Sequence, residues 1–166
     1  GKPDPEIYIK AQEIAGLKAN EVISFEDAKA GVEAIKAAHE IFTNNHHRLE
    51  KLPADIRPLV LRNEVKHYGS KELFNELLED YRETTDASYK GDLNGAITST
   101  PDNSLITELI NEFENADTIK PQDLRGWYRN VLANNAGQQA AWDWIRNDWD
   151  WLEKTVGGDM EFATYI

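Results

Sequence analysis

The chain has 166 residues and carries 30 acidic against 18 basic side chains, a formal net charge of −12. This charge argues against a nucleic acid or an anionic membrane surface as partner, because both select patches of Lys and Arg. The absence of cysteine excludes disulfides, cysteine-ligated zinc, iron–sulfur clusters and a cysteine nucleophile. No apolar run approaches the ~20 residues that span a bilayer. No secretory signal is visible, so we expect a cytoplasmic protein.

The first forty residues predict a helix, a strand and a second helix. Pro3 and Pro5 precede an apolar-periodic stretch that ends at Gly16, which is the usual punctuation of a helix. The β-branched and aromatic residues 22–25 predict a buried strand, and residues 28–44 predict the next helix. A single strand cannot satisfy its own backbone hydrogen bonds, so we expect it to need neighbours.

From residue 39 onward the sequence predicts helices alone. Helix breaks recur at intervals of roughly 15 to 20 residues, which favours stacked helical hairpins. The expected fold class is therefore mainly α, an α-solenoid of HEAT-like helical hairpins with a short N-terminal αβα fragment. No exact internal repeat is visible, so any repeat is structural. The predicted helix N-caps and first-turn prolines are Ser70, Asp86, Asp102, Asp159, Pro58 and Pro121.

A tryptophan-rich segment, residues 136–156, predicts one long helix with two apolar faces. Such a helix would pack on two sides, as an inner helix of a solenoid does; an aromatic platform for sugars or bases is the alternative. The main face carries Trp142, Ile145, Trp149, Leu152 and Val156, and the adjacent face carries Trp144 and Trp151.

The four histidines do not form a zinc site of the His-Glu-x-x-His type. The only His-Glu pair begins at His39, and Thr43 stands where the second imidazole belongs. The adjacent His46 and His47 cannot face one ion from the same side of a helix, and we interpret them as solvated side chains at a helix end. His67 favours the C-terminal end of a helix. The sequence therefore predicts no zinc ligand and no catalytic residue.

Two acidic residues, Glu26 and Asp27, are the one local feature with a chemical signature. They follow the predicted strand, where open α/β sheets bind ligands, and their oxygens suit Mg²⁺. Lys2 could neutralise a phosphate there. The alternative is that Asp27 caps the helix that follows.

The segment that contains these residues resembles the haloacid-dehalogenase-like phosphatases, in particular their β-phosphoglucomutase-like branch. The resemblance rests on residues 1–8 and 22–34. In that family a Lys-Pro pair positions the phosphate and an acidic pair holds Mg²⁺, which implies vestigial sites at Lys2 and at Glu26 and Asp27. The Asp-x-Asp nucleophile of the family is absent from the sequence, so the resemblance implies ancestry rather than activity.

Most of the chain, from about residue 41 to residue 166, resembles the C-terminal helical domain of the aminopeptidase N family, in the version found in lactic acid bacteria. In that family the domain is a bowl of HEAT-like hairpins that covers the zinc-bearing catalytic domain and shapes the peptide chamber. The catalytic His-Glu-x-x-His and Gly-Ala-Met-Glu-Asn motifs are absent here. The resemblance rests on residues 52–58, 84–90, 120–125, 141–154 and 157–162.

Together the two resemblances predict a chimera-like chain, with a phosphatase-like fragment at residues 1–38 and an aminopeptidase-like helical domain at residues 39–166, both incomplete. We expect no self-contained catalysis and no bound cofactor, since zinc would belong to the catalytic domain. The alternatives are a Mg²⁺-binding phosphatase or phosphomutase remnant and a peptide-binding interaction module. We also expect self-association through the truncated surfaces. No individual peptide-binding residue is predicted.

Overall fold

The computed structural model describes residues 29–157, which form helices joined by short loops and include no strand. The mainly α prediction is confirmed for this part of the chain, and the helix predicted over residues 28–44 is present; the first helix and the strand of the predicted αβα fragment lie outside the described residues. None of the helices in this range is long and apolar enough to cross a bilayer. In chain order the helices are α1 (Lys29–Asn44), a 3₁₀ helix (His46–Lys51), α2 (Arg57–His67), α3 (Lys71–Glu83), α4 (Ala87–Ile97), α5 (Asn103–Asn111), α6 (Pro121–Ala133), α7 (Gln138–Asn147) and α8 (Trp149–Val156).

Three helices, α2, α4 and α6, lie side by side and form one layer, in which α4 packs on both of the others. Helix α1 packs on α2, α3 packs on α4 and α7 packs on α6. Helix α7 also contacts α5 and α8. Each helix of the layer is therefore covered by a partner helix, which is the arrangement of a helical-hairpin solenoid that the sequence predicts.

The structural repeat is visible in side-chain hydrogen bonds between neighbouring hairpins. Asn130 Nδ2 donates to Asn94 Oδ1 at 2.9 Å, and Asn134 Nδ2 donates to the Thr98 carbonyl oxygen at 2.9 Å; in both cases the partners are 36 residues apart. Equivalent positions of successive hairpins thus contact each other although the sequence shows no exact repeat.

One hydrophobic core runs through the described helices from α1 to α8. Its largest buried side chains are Trp127 and Tyr128 of α6 and Phe113. Trp127 Nε1 donates to the Tyr81 hydroxyl at 3.2 Å, and the two rings meet edge to face with their centroids 4.9 Å apart. Burial raises the pKa of Tyr81, the hydrogen bond from Trp127 acting in the opposite direction. The polar atoms of these aromatic side chains thus find partners inside the core.

Helix termini follow the sequence closely. Ser70, Asp86 and Asp102 each accept a hydrogen bond from a backbone N–H of the first helical turn, so these three predicted N-caps are confirmed. Pro58 and Pro121 both lie in the first turn of their helices, α2 and α6. A missing N–H costs little there, because the first N–H groups of a helix have no partner within it.

The prediction of one helix over residues 136–156 is wrong. Asp148, with φ −110° and ψ 22°, leaves the helical conformation and separates α7 from α8. Trp144 and Ile145 face the core, whereas Trp142 is 50% exposed. At 3.6 residues per turn, a residue two positions before Trp144 points about 160° away from it. Of the predicted main face, Ile145 and Leu152 are buried whereas Trp142 is exposed, and Trp144 of the predicted adjacent face is buried.

A buried ion pair fastens α2 to α4. Arg57 is 4% exposed, and its Nε donates to Asp92 Oδ2 at 2.7 Å. Its Nη1 donates to the Glu50 carbonyl oxygen at 2.7 Å and its Nη2 to Ser88 Oγ at 3.0 Å. The guanidinium also lies 5.2 Å from the centroid of the Tyr89 ring. These partners compensate a charge that would otherwise be costly to bury.

We expect Arg57→Met to lower the free energy of unfolding by about 3 kcal/mol, because Asp92 would keep a largely buried charge without its partner. Urea unfolding followed by circular dichroism measures this change. The control is Lys71→Met, which removes an exposed ion pair with Glu108 and should cost less than about 1 kcal/mol. Equal losses in the two variants would contradict the importance of burial.

Candidate functional site

The sequence-predicted phosphate and magnesium residues, Lys2, Glu26 and Asp27, lie outside the described residues, as does the predicted helix cap Asp159. Their roles stay predictions. Across residues 29–157 no group of three His, Asp or Glu side chains is arranged to hold a metal ion.

The adjacent His46 and His47 lie in the 3₁₀ helix, directly after α1. Their rings are stacked with centroids 5.9 Å apart, and His46 Nε2 lies 2.7 Å from Glu76 Oε1 of α3. His46 is therefore partnered with α3 of the next helical pair, a contact that the sequence does not predict. His67 closes α2, as the sequence predicts.

His39 contacts an acidic side chain that the sequence does not connect with it. Its Nδ1 lies 2.9 Å from Glu64 Oε2 of α2, and its ring stacks on Tyr68 with the centroids 3.7 Å apart. The Glu64 side chain is 6% exposed. Burial raises the pKa of Glu64 above its ordinary value and outweighs the hydrogen bond and charge of His39 and the charge of His46, all of which lower it. The pair joins α1 to α2.

The raised pKa of Glu64 makes the stability of the chain depend on pH. The folded chain holds this proton more tightly than the unfolded chain does. The stability contributed by this group is therefore fully present below the unfolded-state pKa and is lost as the pH rises through the folded-state pKa. We expect Glu64→Gln, which cannot ionise, to gain stability relative to the wild type as the pH rises above 4.5, the ordinary value for this carboxyl.

Urea unfolding of both proteins at steps between about pH 4 and about pH 6, a range that begins near the ordinary pKa of a glutamate side chain, checks this prediction. A stability difference that stays constant or shrinks with rising pH would contradict it.

The layer of α2, α4 and α6 carries an open groove of about 410 Å³, hereafter the layer groove. None of its nine lining residues is acidic, although 30 of the 166 residues of the chain are. Arg62 and Lys66 of α2 form one wall, Gly95 of α4 forms the floor, and asparagines of α6 and the loop after it, among them Asn130 and Asn134, form the other wall.

The floor of the layer groove is open because Gly95 has no side chain. A Cβ atom built at this position would lie 3.4 Å from Arg62 Nη2, and it would meet no other atom within 4 Å outside the backbone of its own helix. Arg62 is exposed, and within residues 29–157 its guanidinium takes part in no hydrogen bond or ion pair. The groove thus offers space beside a cation that has no carboxylate partner in the described part of the chain.

Two asparagines of the opposite wall have different roles. Asn134 Nδ2 donates to the Thr98 and Thr100 carbonyl oxygens at 2.9 and 2.8 Å, so this amide group is fully used in holding the end of α4. Asn130 Nδ2 donates to Asn94 Oδ1 at 2.9 Å. An amide carries two N–H donors, so Asn130 retains one for a ligand.

The helices that form the layer differ in charge from the helices packed behind them. Helices α2, α4 and α6 contain six basic and three acidic residues, whereas α1, α3, α5 and α7 contain five basic and nine acidic residues. Helices α1, α3, α5 and α7 together therefore carry net negative charge, and the layer that holds the groove carries net positive charge. This distribution favours an anionic group at the layer groove.

Residues 14–166 match the family model of the ERAP1-like C-terminal domain. The chain belongs to this family. Aminopeptidase N of Lactobacillus helveticus is 53% identical over 166 residues, 100% of this chain and 19% of that protein. Aminopeptidase N of Lactobacillus delbrueckii subsp. lactis is 55% identical over 131 residues, 79% of this chain and 16% of that protein. Aminopeptidase N of Lactococcus lactis subsp. cremoris (strain MG1363) is 36% identical over 155 residues, 93% of this chain and 18% of that protein.

Membership of the ERAP1-like C-terminal domain family confirms the resemblance to an aminopeptidase N helical domain. The comparisons do not support the phosphatase-like fragment or the chimera. The family match begins at residue 14, and the L. helveticus relative aligns with the whole chain, so residues 1–38 need no second family to account for them. Helix α1 runs through the predicted boundary between residues 38 and 39. The two-domain division itself stays a prediction. The chain spans less than a fifth of the length of these curated relatives.

Sequence analysis missed the layer groove because its parts lie about one repeat apart. Arg62, Gly95 and Asn130 follow each other at separations of 33 and 35 residues, and no local motif joins them. The available signal is the pair Gly91 and Gly95 inside α4. A glycine in a helix costs about 1 kcal/mol relative to alanine, so two of them one turn apart are unusual in a sequence. In the structure a Cβ atom at residue 91 would meet nothing within 4 Å, and one at residue 95 would meet only the end of the Arg62 side chain, at 3.4 Å.

Proposed function

We propose that this chain is the helical C-terminal domain of a zinc aminopeptidase and that it shapes the chamber that holds the peptide substrate. The observation that carries the proposal is the 53% identity to aminopeptidase N of L. helveticus over all 166 residues. In this proposal the zinc ion and the catalytic residues belong to another part of the longer protein. The chain then contributes surface and shape and has no catalysis of its own.

The architecture of the described residues suits such a role. Helices stacked in hairpins form a broad, continuous surface, which repeat proteins use to bind extended ligands. The α2–α4–α6 layer is the surface that we assign to the chamber, because it holds the layer groove. Arg57 joins α2 to α4, and Asn134 joins the end of α6 to the end of α4, so hydrogen bonds connect the three helices of the layer.

We expect the isolated chain with added zinc to release no aniline from aminoacyl-anilides. The same chain, grafted in place of its counterpart in aminopeptidase N of L. helveticus, should give an enzyme whose kcat/KM for the anilide is within about tenfold of the parent, a change of ~1.4 kcal/mol in activation free energy. Hydrolysis by the isolated chain, or a folded graft without activity, would contradict the proposal.

The graft should alter the processing of longer peptides more than that of the anilide. A chamber wall contacts the parts of a substrate that lie away from the cleaved bond, and such contacts change kcat/KM for long substrates selectively. Competition between a longer peptide and the anilide, measured in parent and graft, tests this expectation. The chamber role would be contradicted if the parent, the graft and the graft that carries Arg62→Gln all showed the same preference for peptide length.

A further inference from the structure

We propose that the break between α7 and α8 is a pH-dependent conformational switch, in which the Asp148 carboxyl either shares a proton with Glu114 or caps the first turn of α8. Glu114 lies in the loop after α5, and Asp148 is the residue at which the helical conformation is interrupted. A hydrogen bond joins the two side chains, hereafter the carboxyl pair. The switch lies within the described helices and is independent of the chamber role proposed above.

Packing of two aromatic rings brings the carboxyl pair together. Phe113, directly before Glu114, is buried, and its ring meets the Trp144 ring edge to face with the centroids 5.2 Å apart. Asp148 follows Trp144 by about one helical turn, and its N–H donates to the Trp144 carbonyl oxygen at 2.9 Å. The contact of Phe113 with Trp144 therefore places Glu114 within reach of Asp148.

The hydrogen bond between the two carboxyls requires a proton. An ionised carboxylate only accepts hydrogen bonds, so one member of the pair must be protonated for the bond to form. Partial burial raises the pKa of Glu114 above its ordinary value of 4.5, and the charge of Asp148 and the hydrogen bond to it raise this pKa further. Glu114 therefore holds the shared proton.

No cation stands in for that proton in the described part of the chain. Arg146 lies 2.8 Å from Asp143, and no ion pair joins either member of the carboxyl pair to a basic side chain within residues 29–157. The charge that acts on Glu114 is that of Asp148. The other charged groups on the elements that meet here are Glu108 of α5, Glu112, Asp117 and Lys120 of the loop after it, Asp123, Arg125 and Arg129 of α6, Asp143 and Arg146 of α7, and Asp150, Glu153 and Lys154 of α8.

Asp148 also occupies the position at which an aspartate usually caps a helix. It is the N-cap residue of α8, yet its side chain accepts no hydrogen bond from the first turn. Asp86 and Asp102, by contrast, both accept such bonds at the N-caps of α4 and α5. An N-cap side chain accepts from the second or third N–H of its helix, here that of Asp150 or Trp151. The side-chain cap of α8 is thus absent while the carboxyl pair is formed.

The alternative position of Asp148 requires a rotation of its backbone. Asp86 and Asp102 cap their helices with ψ angles of 109° and 110°, whereas ψ of Asp148 is 22°. Leu152 is fully buried, and the Trp151 ring lies with its centroid 6.3 Å from that of Trp144, so α8 stays packed on α7. The change is therefore confined to Asp148 and the first turn of α8.

Rising pH favours the capping position. The stability contributed by the protonated Glu114 is fully present below its unfolded-state pKa and is lost as the pH rises through its folded-state pKa, because that pKa is the higher one. Both carboxyls are then ionised and repel each other. The partial positive charge at the N-terminus of α8 attracts the Asp148 carboxylate, which turns to the uncapped N–H groups.

Amide exchange with water in the full 166-residue chain tests the switch. Two-dimensional proton–nitrogen NMR at steps between about pH 4 and about pH 7 follows the N–H groups of Asp150 and Trp151, relative to the exchange rates of an unfolded chain at the same pH. Protection of at least one of them should rise about fivefold with pH, which is the effect of a typical aspartate cap. The Ser104 amide is the internal control, because the hydrogen bonds from Ser104 lower the pKa of its cap Asp102.

Three substitutions assign the rise to the carboxyl pair. Glu114→Gln should abolish it, because the amide donates to Asp148 at every pH in this range. Asp148→Ala removes both the pair and the cap and should abolish it as well. The matched control is Asp150→Asn, which removes a carboxyl from the same turn that is not part of the pair. This variant should retain the rise of about fivefold.

Two results would overturn the proposal. A rise that persists in Glu114→Gln would show that the carboxyl pair does not cause it. Constant or falling protection in the wild type would show that Asp148 does not take the capping position. Circular dichroism checks the folding of each variant, and Glu114→Gln, a change of similar shape on an exposed side chain, decides the question if Asp148→Ala fails to fold.

Discussion

Within residues 29–157 each helical pair buries apolar surface between its own two helices and against the neighbouring pair, and the rest of the structure depends on that stacking. The core is continuous from α1 to α8 because no pair is complete alone. Polar side chains reinforce the same contacts: Arg57 bonds to Asp92, and Asn94 bonds to Asn130, across separations of 35 and 36 residues. Stability is then approximately a sum over the interfaces between neighbouring helical pairs. The loss of one interface therefore destabilises mainly the two pairs that share it.

Stacking also creates the candidate site. When equivalent helices lie side by side, positions about one repeat apart align into rows, and the layer groove is such a row. Arg62, Gly95 and Asn130 are individually ordinary residues of exposed helix surfaces, yet their alignment places a cation, an open floor and an amide donor next to one another. The acidic covering helices leave this layer as the surface with an excess of basic residues.

Sequence reasoning succeeded where the physical cause is local and failed where it depends on register between helices. Ser70 and Pro121 act within a single turn, so their roles as cap and first-turn residue were predictable. The break at Asp148 has no glycine or proline to mark it, so the sequence predicted one helix where the structure has two. The His39–Glu64 contact joins residues 25 positions apart, and the layer groove spans three helices. Periodicity within one helix carries no information about contacts between different helices, so it could predict neither the His39–Glu64 contact nor the layer groove.

The tryptophans of the chain are concentrated at one end of the helical stack. All five lie at residue 127 or later, in α6, α7 and α8. Tryptophan fluorescence therefore reports on the last helices only, whereas far-ultraviolet circular dichroism reports on every helix. In a stack whose pairs contact only their neighbours, one end can unfold before the other. The two optical signals then have different midpoints in the same denaturant series, and the distance between the midpoints measures how cooperatively the helical pairs unfold.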